Sequence, residues 1–392
     1  MTGMLRPPSS NNRSNAAARA SPSDGPFASV SAMALPEPDT HESHPIPVPI
    51  GLDGITTDDF HTGGEPFRIV TGGVPVPEGA TVLDRREWSE RHLDDARAFL
   101  VNEPRGHADM YGCFVTPPDA DPDPDPDRTA AFGLVFFHKD GFSTACGHGT
   151  IAAVTWALRT GRVEMTEPLT KLYVDVPSGR LRVDADVING RVGEVRFENV
   201  PSFVAATDVE VVVGDVTYRV DVSYGGAFYA SADVAQLGVT ITPEHLPELI
   251  EVGRAIKWAI DDHPSARHPS DERLSGCYGT IWYERRPDAG NRLHHRNVTI
   301  FADGEVDRSP CGSGTSSRLA LLDHGGQLAR GRELLHTSIV GSEFSGVVLG
   351  DGPTMGGRAS VRTQVGGRAY PTGSHRFVLD GDDGVGLGFQ LR

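Results

Sequence analysis

The chain has 392 residues, 38% hydrophobic and 23% charged, with a formal net charge of −17. That length exceeds what one compact core usually holds, so two domains are expected. The acidic balance argues against a nucleic-acid partner, and no stretch reaches the roughly 18 apolar residues that a membrane span needs.

Residues 1–50 are rich in Ser, Pro, Ala and Asn and lack either hydrophobic period. They read as a disordered leader that ends in a proline-rich run, Pro45 to Pro49. Met33 could be the true start, and the scarcity of early acids weakly suggests a transit peptide. The N-terminus has no continuous apolar signal core. From Ile55 the texture is α+β. Strand-like runs fall at Phe67–Val70, Phe132–Phe137, Val209–Val213 and Val298–Phe301, and helix-like patterns at 85–100, 151–158, 244–259 and 316–322. The five alternating aspartates of Asp119–Asp127 have prolines between them. Without the glycine and closing Glu of a calcium loop, they read as a stiff, solvated surface loop.

Four cysteines, Cys113, Cys146, Cys277 and Cys311, are too few for a disulfide scaffold and form no Cys-x-x-Cys pair. Reduced thiols and a cytoplasmic location follow as expectations. Two of the four sit in a repeat. Cys146-Gly147-His148-Gly149-Thr150 recurs as Cys311-Gly312-Ser313-Gly314-Thr315, each after an apolar strand and a turn and each before an apolar helix. Two copies of one such unit predict two related half-domains facing one another.

This constellation suits proton transfer at a carbon next to a carboxylate. That carbanion needs an electron sink or well-aimed dipoles with two placed bases. A pyridoxal route requires a Schiff-base lysine, yet the only lysines are Lys139, Lys171 and Lys257, none in a phosphate-cradling context. A cysteine at a helix N-terminus fits the cofactor-free route, because the positive helix end favours thiolate. The glycines let backbone N–H groups approach a substrate carboxylate. One thiolate would take the α-proton and the other thiol would return one to the opposite face. Each motif alone could equally be a small residue in a tight turn. A zinc site on Cys146, His148 and Cys311 would need a distant further ligand. A small-molecule binding protein with the same cradle, or a thiol-based redox or acyl-transfer enzyme, are the readings from other classes.

At these residues the chain resembles the proline racemase family, from about Asp58 to the C-terminus. The blocks are His61–Val70, Glu103–Gly112, Cys146–His148, Tyr224–Phe228 and Asp307–Thr315. The resemblance implies a diaminopimelate-epimerase-like α+β fold of two pseudo-symmetric half-domains, each wrapping a sheet round a central helix, with the active site between them. Its limits would be 51–205, completed by 372–392, and 206–371. It implies Cys146 and Cys311 as paired acid and base, with Gly147, His148, Gly312 and Ser313 lining the carboxylate by N–H groups. Asp307 would hold the substrate nitrogen, and His61, Glu65 and His107 would be supporting positions. It implies a small amino-acid substrate, no cofactor, no metal and a homodimer. Within the family, proline racemases and some hydroxyproline 2-epimerases keep two cysteines, certain epimerases replace the first with serine, and trans-3-hydroxy-L-proline dehydratases keep the first cysteine but usually carry threonine at the second. The cysteine pair therefore favours a racemase or epimerase, with dehydration as the alternative. Segments such as Arg105–Tyr111, Ser223–Tyr229 and Gly312–Arg318 look closer to the dehydratase branch. Ala145, where many members place Met, departs from the pattern beside the expected ring site.

Overall fold

The computed structural model describes residues 54–120 and 128–391, with the two-residue strand Val30–Ser31. The expected leader, that strand apart, and positions 121–127 of the acidic loop lie outside the described residues. Val30 and Ser31 pair in parallel with Val211 and Val212.

The strand-like runs all fall inside strands, namely Glu65–Gly72, Ala130–His138, Ser202–Val213 and Arg292–Phe301. Five helices accompany them: α1 Val82–His92, α2 Asp94–Val101, α3 Gly147–Arg159, α4 Leu246–Asp261 and α5 Gly312–His324. The single helix expected over 85–100 is two. A capping box opens α1, where Thr81 Oγ1 accepts from the Asp84 N–H and the Asp84 carboxylate accepts from the Thr81 N–H. Leu93 leaves helical geometry at φ −124° and ψ 12°, and α2 restarts with Asp94 and Asp95 in its first turn. The apolar period continues through this kink because both helices bury residues on the same second cluster, among them Val82, Leu93, Phe99 and Leu100.

The strands join into one mixed sheet whose order is informative. One run is Ala369–Phe377, Ile55–Thr62, Glu65–Gly72, Tyr111–Thr116, Ala130–His138, Leu169–Val176, Gly179–Ile188 and Arg191–Glu198. Its successive pairings are antiparallel, antiparallel, parallel, antiparallel, parallel, antiparallel and antiparallel. The other run is Ser202–Val213, Val216–Tyr224, Phe228–Asp233, Cys277–Ala289, Arg292–Phe301, Leu334–Thr337, Glu343–Asp351 and Ser360–Gly367. Its pairings follow the same order of senses. Each run carries one short hairpin spur, Gly141–Ser143 or Glu305–Asp307, directly before α3 or α5. The first strand of the first run comes from the far C-terminal part of the chain.

Ser360–Gly367 pairs with both Arg191–Glu198 and Ser202–Val213, and so stitches the runs together. Period-two burial is clearest in Gly179–Ile188, where Leu181, Val183, Ala185 and Val187 point inward between charged neighbours. One large apolar cluster includes residues of both runs, from Phe60 and Phe67 to Phe344 and Val365. Helices α3 and α5 lie within it, which buries their N-terminal ends as well as their flanks. Among the described residues, no helix is long and apolar enough to cross a membrane.

Candidate active site

Each spur ends in a turn that delivers a cysteine to the N-cap of a buried helix. Cys146 caps α3 in extended geometry, and its Sγ accepts from the Gly149 N–H at 3.3 Å. Cys311 caps α5 at φ 64° and ψ 110°, without a hydrogen bond from the helix to its side chain. A non-glycine residue at that φ is strained by about 1–3 kcal/mol, a cost accepted mainly at functional sites. The fourth residue of each motif must be glycine on space alone. A Cβ at Gly149 would stand 2.7 Å from Cys146 Sγ, and one at Gly314 2.9 Å from Cys311 Sγ.

The two helix ends meet head to head. A Cβ on Gly147 would fall 2.5 Å from Gly312 Cα, and one on Gly312 would fall 2.6 Å from Gly147 Cα. Any side chain here would wedge the helices apart. The first four N–H groups of a helix have no acceptor within it, apart from the i→i−4 bond that closes the first turn. In α3 and α5 the Thr150 and Thr315 N–H groups bond to the cysteine carbonyls, and that of Gly149 bonds to the Cys146 thiol. The N–H groups of Gly147, His148, Gly312 and Ser313 remain beside the Gly–Gly contact.

The structure brings all seven sequence-selected residues into one cluster. His148 places its ring nitrogens 3.6 and 3.5 Å from Cys146 Sγ, and its Nδ1 lies 4.0 Å from Asp307 Oδ2. Asp307 ends the second spur, accepts from the Ser309 N–H at 2.8 Å and reaches the Cys311 thiol. Tyr229 OH is 2.6 Å from Ser313 Oγ, and the Cys311 thiol points to it at 3.6 Å.

Burial dominates the electrostatics. It pushes the Cys146 thiol well above its ordinary value and the Cys311 thiol up to about 12, with the Asp307 charge adding to both and the glycine N–H groups opposing. The helix end still favours thiolate at Cys146, through the Gly149 N–H, but burial outweighs it. Half a unit of helix charge contributes about 1 kcal/mol, less than the desolvation of a buried anion. Burial also lowers His148 to about 3 and raises Asp307 to about 6. Burial disfavours the charged form of both, which argues against an ion pair across their 4.0 Å approach.

The supporting positions have defined tasks. Glu65 is fully buried, accepts from the Arg308 N–H at 2.7 Å, and is pushed well above the carboxylate range by burial and then by Asp307. Asp109 accepts from the Val306 N–H at 3.0 Å and from the Arg308 guanidinium at 2.7 Å, which fixes the strand that carries Asp307. His61 Nδ1 accepts from the Gly64 N–H, and His107 Nδ1 from the Asp109 N–H. Sequence reasoning gives Tyr229, in the strand Phe228–Asp233, no part in the site, because nothing local marks a tyrosine that reaches a distant thiol. Both catalytic candidates are 5% exposed. Cavities of about 460 and 840 Å³ lie nearby, and neither is lined by these cysteines. All four cysteines are free, and no group of three or more His, Cys, Asp or Glu among the described residues is arranged to hold a metal.

Residues 58–390 match the model of the proline racemase family. The chain is 42% identical over 336 residues to the trans-3-hydroxy-L-proline dehydratase of Bacillus thuringiensis subsp. konkukian, covering 86% of this chain and 98% of that protein. It is 40% identical over 339 residues to the 3-hydroxyproline 2-epimerase of Burkholderia multivorans, with the same coverage. The crystal structure of a hydroxyproline epimerase from Agrobacterium vitis, with bound trans-4-OH-L-proline, superposes with a TM-score of 0.79 at 32% identity. That match covers 86% of this chain and 96% of the other. The fold is thus an α+β architecture shared with that hydroxyproline epimerase. The chain belongs to the proline racemase family and is an enzyme.

Proposed function

We propose that this enzyme inverts the α-carbon of a proline-type imino acid, 3-hydroxyproline before proline or 4-hydroxyproline, with Cys146 and Cys311 as the two proton carriers. The observation that carries this reading is the head-to-head meeting of α3 and α5 at Gly147 and Gly312, with one thiol capping each helix. A carboxylate set on the N–H groups of Gly147, His148, Gly312 and Ser313 has its α-carbon between the sulfurs. Those dipoles then stabilise the negative charge that grows on the carboxylate as the proton leaves. Asp307, ionised above about pH 6, faces the ring nitrogen, with the neutral His148 ring beside it. One sulfur, as thiolate, removes the α-proton. The other, as thiol, donates its own to the opposite face and becomes the thiolate for the reverse turn. A thiol raised by burial is a stronger base once ionised, which suits a weak carbon acid. No cofactor is needed.

The frame for this chemistry is two half-domains, 51–205 completed by 372–392, and 206–371, pseudo-symmetric in the diaminopimelate-epimerase manner. The matching order of pairing senses supports that division, although Ser202–Val213 and Ala369–Phe377 cross its limits. A homodimer and a cytoplasmic location remain part of the reading.

The substrate preference rests on two relatives named for 3-hydroxyproline, at 42% and 40% identity. The second cysteine separates inversion from dehydration, since a threonine hydroxyl is too weak an acid to return the proton. Proton NMR in deuterated water tests this with trans-3-hydroxy-L-proline, trans-4-hydroxy-L-proline and L-proline, each incubated alone. Loss of the α-proton signal with appearance of the 2-epimer is expected for the 3-hydroxy compound. Its conversion only to a pyrroline carboxylate would establish dehydration instead, the reading that the 42% relative favours.

A further inference from the structure

Beside the thiols stands a string of three hydroxyls to which the reading above gives no task. Tyr111 and Ser143 come from the first run of strands and Tyr278 from the second. Tyr111 OH hydrogen-bonds to Ser143 Oγ on one side and to Tyr278 OH, at 3.0 Å, on the other. Tyr111 and Ser143 are 1% and 4% exposed. The Tyr111 ring stands edge-on to His148 at 5.0 Å, while Tyr278 stacks on Phe301 at 5.4 Å and 9° and meets Tyr229 edge-on at 5.6 Å. The rings are therefore fixed by their neighbours, and the hydroxyls lie against the Cys146 side of the site, close enough for its charge to act on both phenols. On their other side, Ser143 and Tyr278 help to line the cavity of about 460 Å³.

Counting protons shows what the string lacks. Three hydroxyls carry three donor hydrogens, and the two internal hydrogen bonds use two of them. One donor and several lone pairs stay available to a further hydroxyl. The position is specific as well. A 3-hydroxyl oxygen is two bonds from the carbon that Cys146 must reach, whereas a 4-hydroxyl is one bond further away.

We infer that Tyr278, with Ser143 and Tyr111, reads the 3-hydroxyl of the substrate ring and so determines the preference for 3-hydroxyproline over proline. This rests on the α-carbon inversion proposed above. A site built to bond a hydroxyl discriminates against the analogue without it much more strongly than an apolar pocket discriminates by size.

The test compares kcat/KM for α-hydrogen exchange in deuterated water, with trans-3-hydroxy-L-proline and with L-proline, in the full chain and in Tyr278→Phe and Ser143→Ala. Tyr278→Phe keeps the ring that stacks on Phe301, and an unchanged Tm checks that it folds. The ratio of the two kcat/KM values should fall by about 10- to 100-fold in Tyr278→Phe, through the hydroxylated substrate, and by less in Ser143→Ala. An unmoved ratio, or a parallel loss on both substrates, would overturn the inference while leaving inversion intact. A wild-type enzyme that exchanged neither substrate would overturn both readings.

Discussion

Helices α3 and α5 start from the same pentapeptide frame, yet they rest on different interiors. Behind Cys146, α3 continues with Ile151, Ala152, Ala153, Val154 and Trp156, all buried in the large apolar cluster. Behind Cys311, α5 continues with Ser316, Ser317 and Arg318, all buried and polar, before Leu319 resumes the apolar face. Thr315 Oγ1 lies 2.8 Å from His336 Nδ1, Ser317 bonds to Ser223, and the Arg318 guanidinium lies over the Tyr283 ring at 3.6 Å from its centroid. The first thiol caps its helix in relaxed extended geometry, the second in a strained one at φ 64°. The frame that places a thiol is thus separable from the interior that supports it. The glycines fix where the helices meet, and either an apolar or a polar bed can hold them there.

That separation can be broken most severely at the thiols themselves. Cys146→Ser and Cys311→Ser should each reduce inversion by about 10³-fold or more, because a hydroxyl at either cap is too weak an acid to trade protons at neutral pH. Both variants should keep the wild-type Tm to within a degree or two. Polarimetry or chiral chromatography reads the activity, and a single variant with full activity would refute the two-base reading. In the wild type, kcat/KM should rise into the alkaline range as a raised thiol ionises, with no inflection from His148, which burial holds at about 3.

The supporting interiors should differ in stability. Trp156→Ala removes the largest side chain beneath the first thiol and should cost about 3–5 kcal/mol. Arg318→Met exchanges a buried cation for an apolar chain of similar length, and should change stability by no more than about 1 kcal/mol. Urea unfolding of the two variants measures the contrast. Equal costs would mean that the polar bed is as demanding as the apolar one.

Asp307 offers a finer test, since it is held against its own preference. Its folded-state value of about 6 lies above the ordinary 3.8, so the folded protein binds that proton more tightly than the unfolded chain. Stability is therefore lost as pH rises from about 4 through 6, and the penalty is complete above it. Two units correspond to on the order of 3 kcal/mol. Asp307→Asn should raise stability by up to that amount at pH 8 and by little at pH 4, with most activity lost. Melting curves at the two pH values would show a pH-independent shift if the carboxylate were not the cause.

How much of this was legible beforehand follows from range. The paired Cys-Gly-x-Gly-Thr units, the strands that flank them and the α+β texture are local patterns, and the seven residues chosen from them do gather into one cluster. Other features depend on contacts between distant segments. The helix expected over 85–100 breaks at Leu93 because of the core it packs on. Tyr229 and Tyr111 look like ordinary strand tyrosines until the fold brings one hydroxyl to the Cys311 thiol and the other to Ser143 and Tyr278.

By itself the sequence determined which backbone would surround each thiol, because glycine spacing and helix-start chemistry are set within a few residues. Only the tertiary structure decided the charge state of the site. Burial outweighs the helix ends and raises both thiols, and desolvation depends on everything packed around a group rather than on its neighbours in the chain.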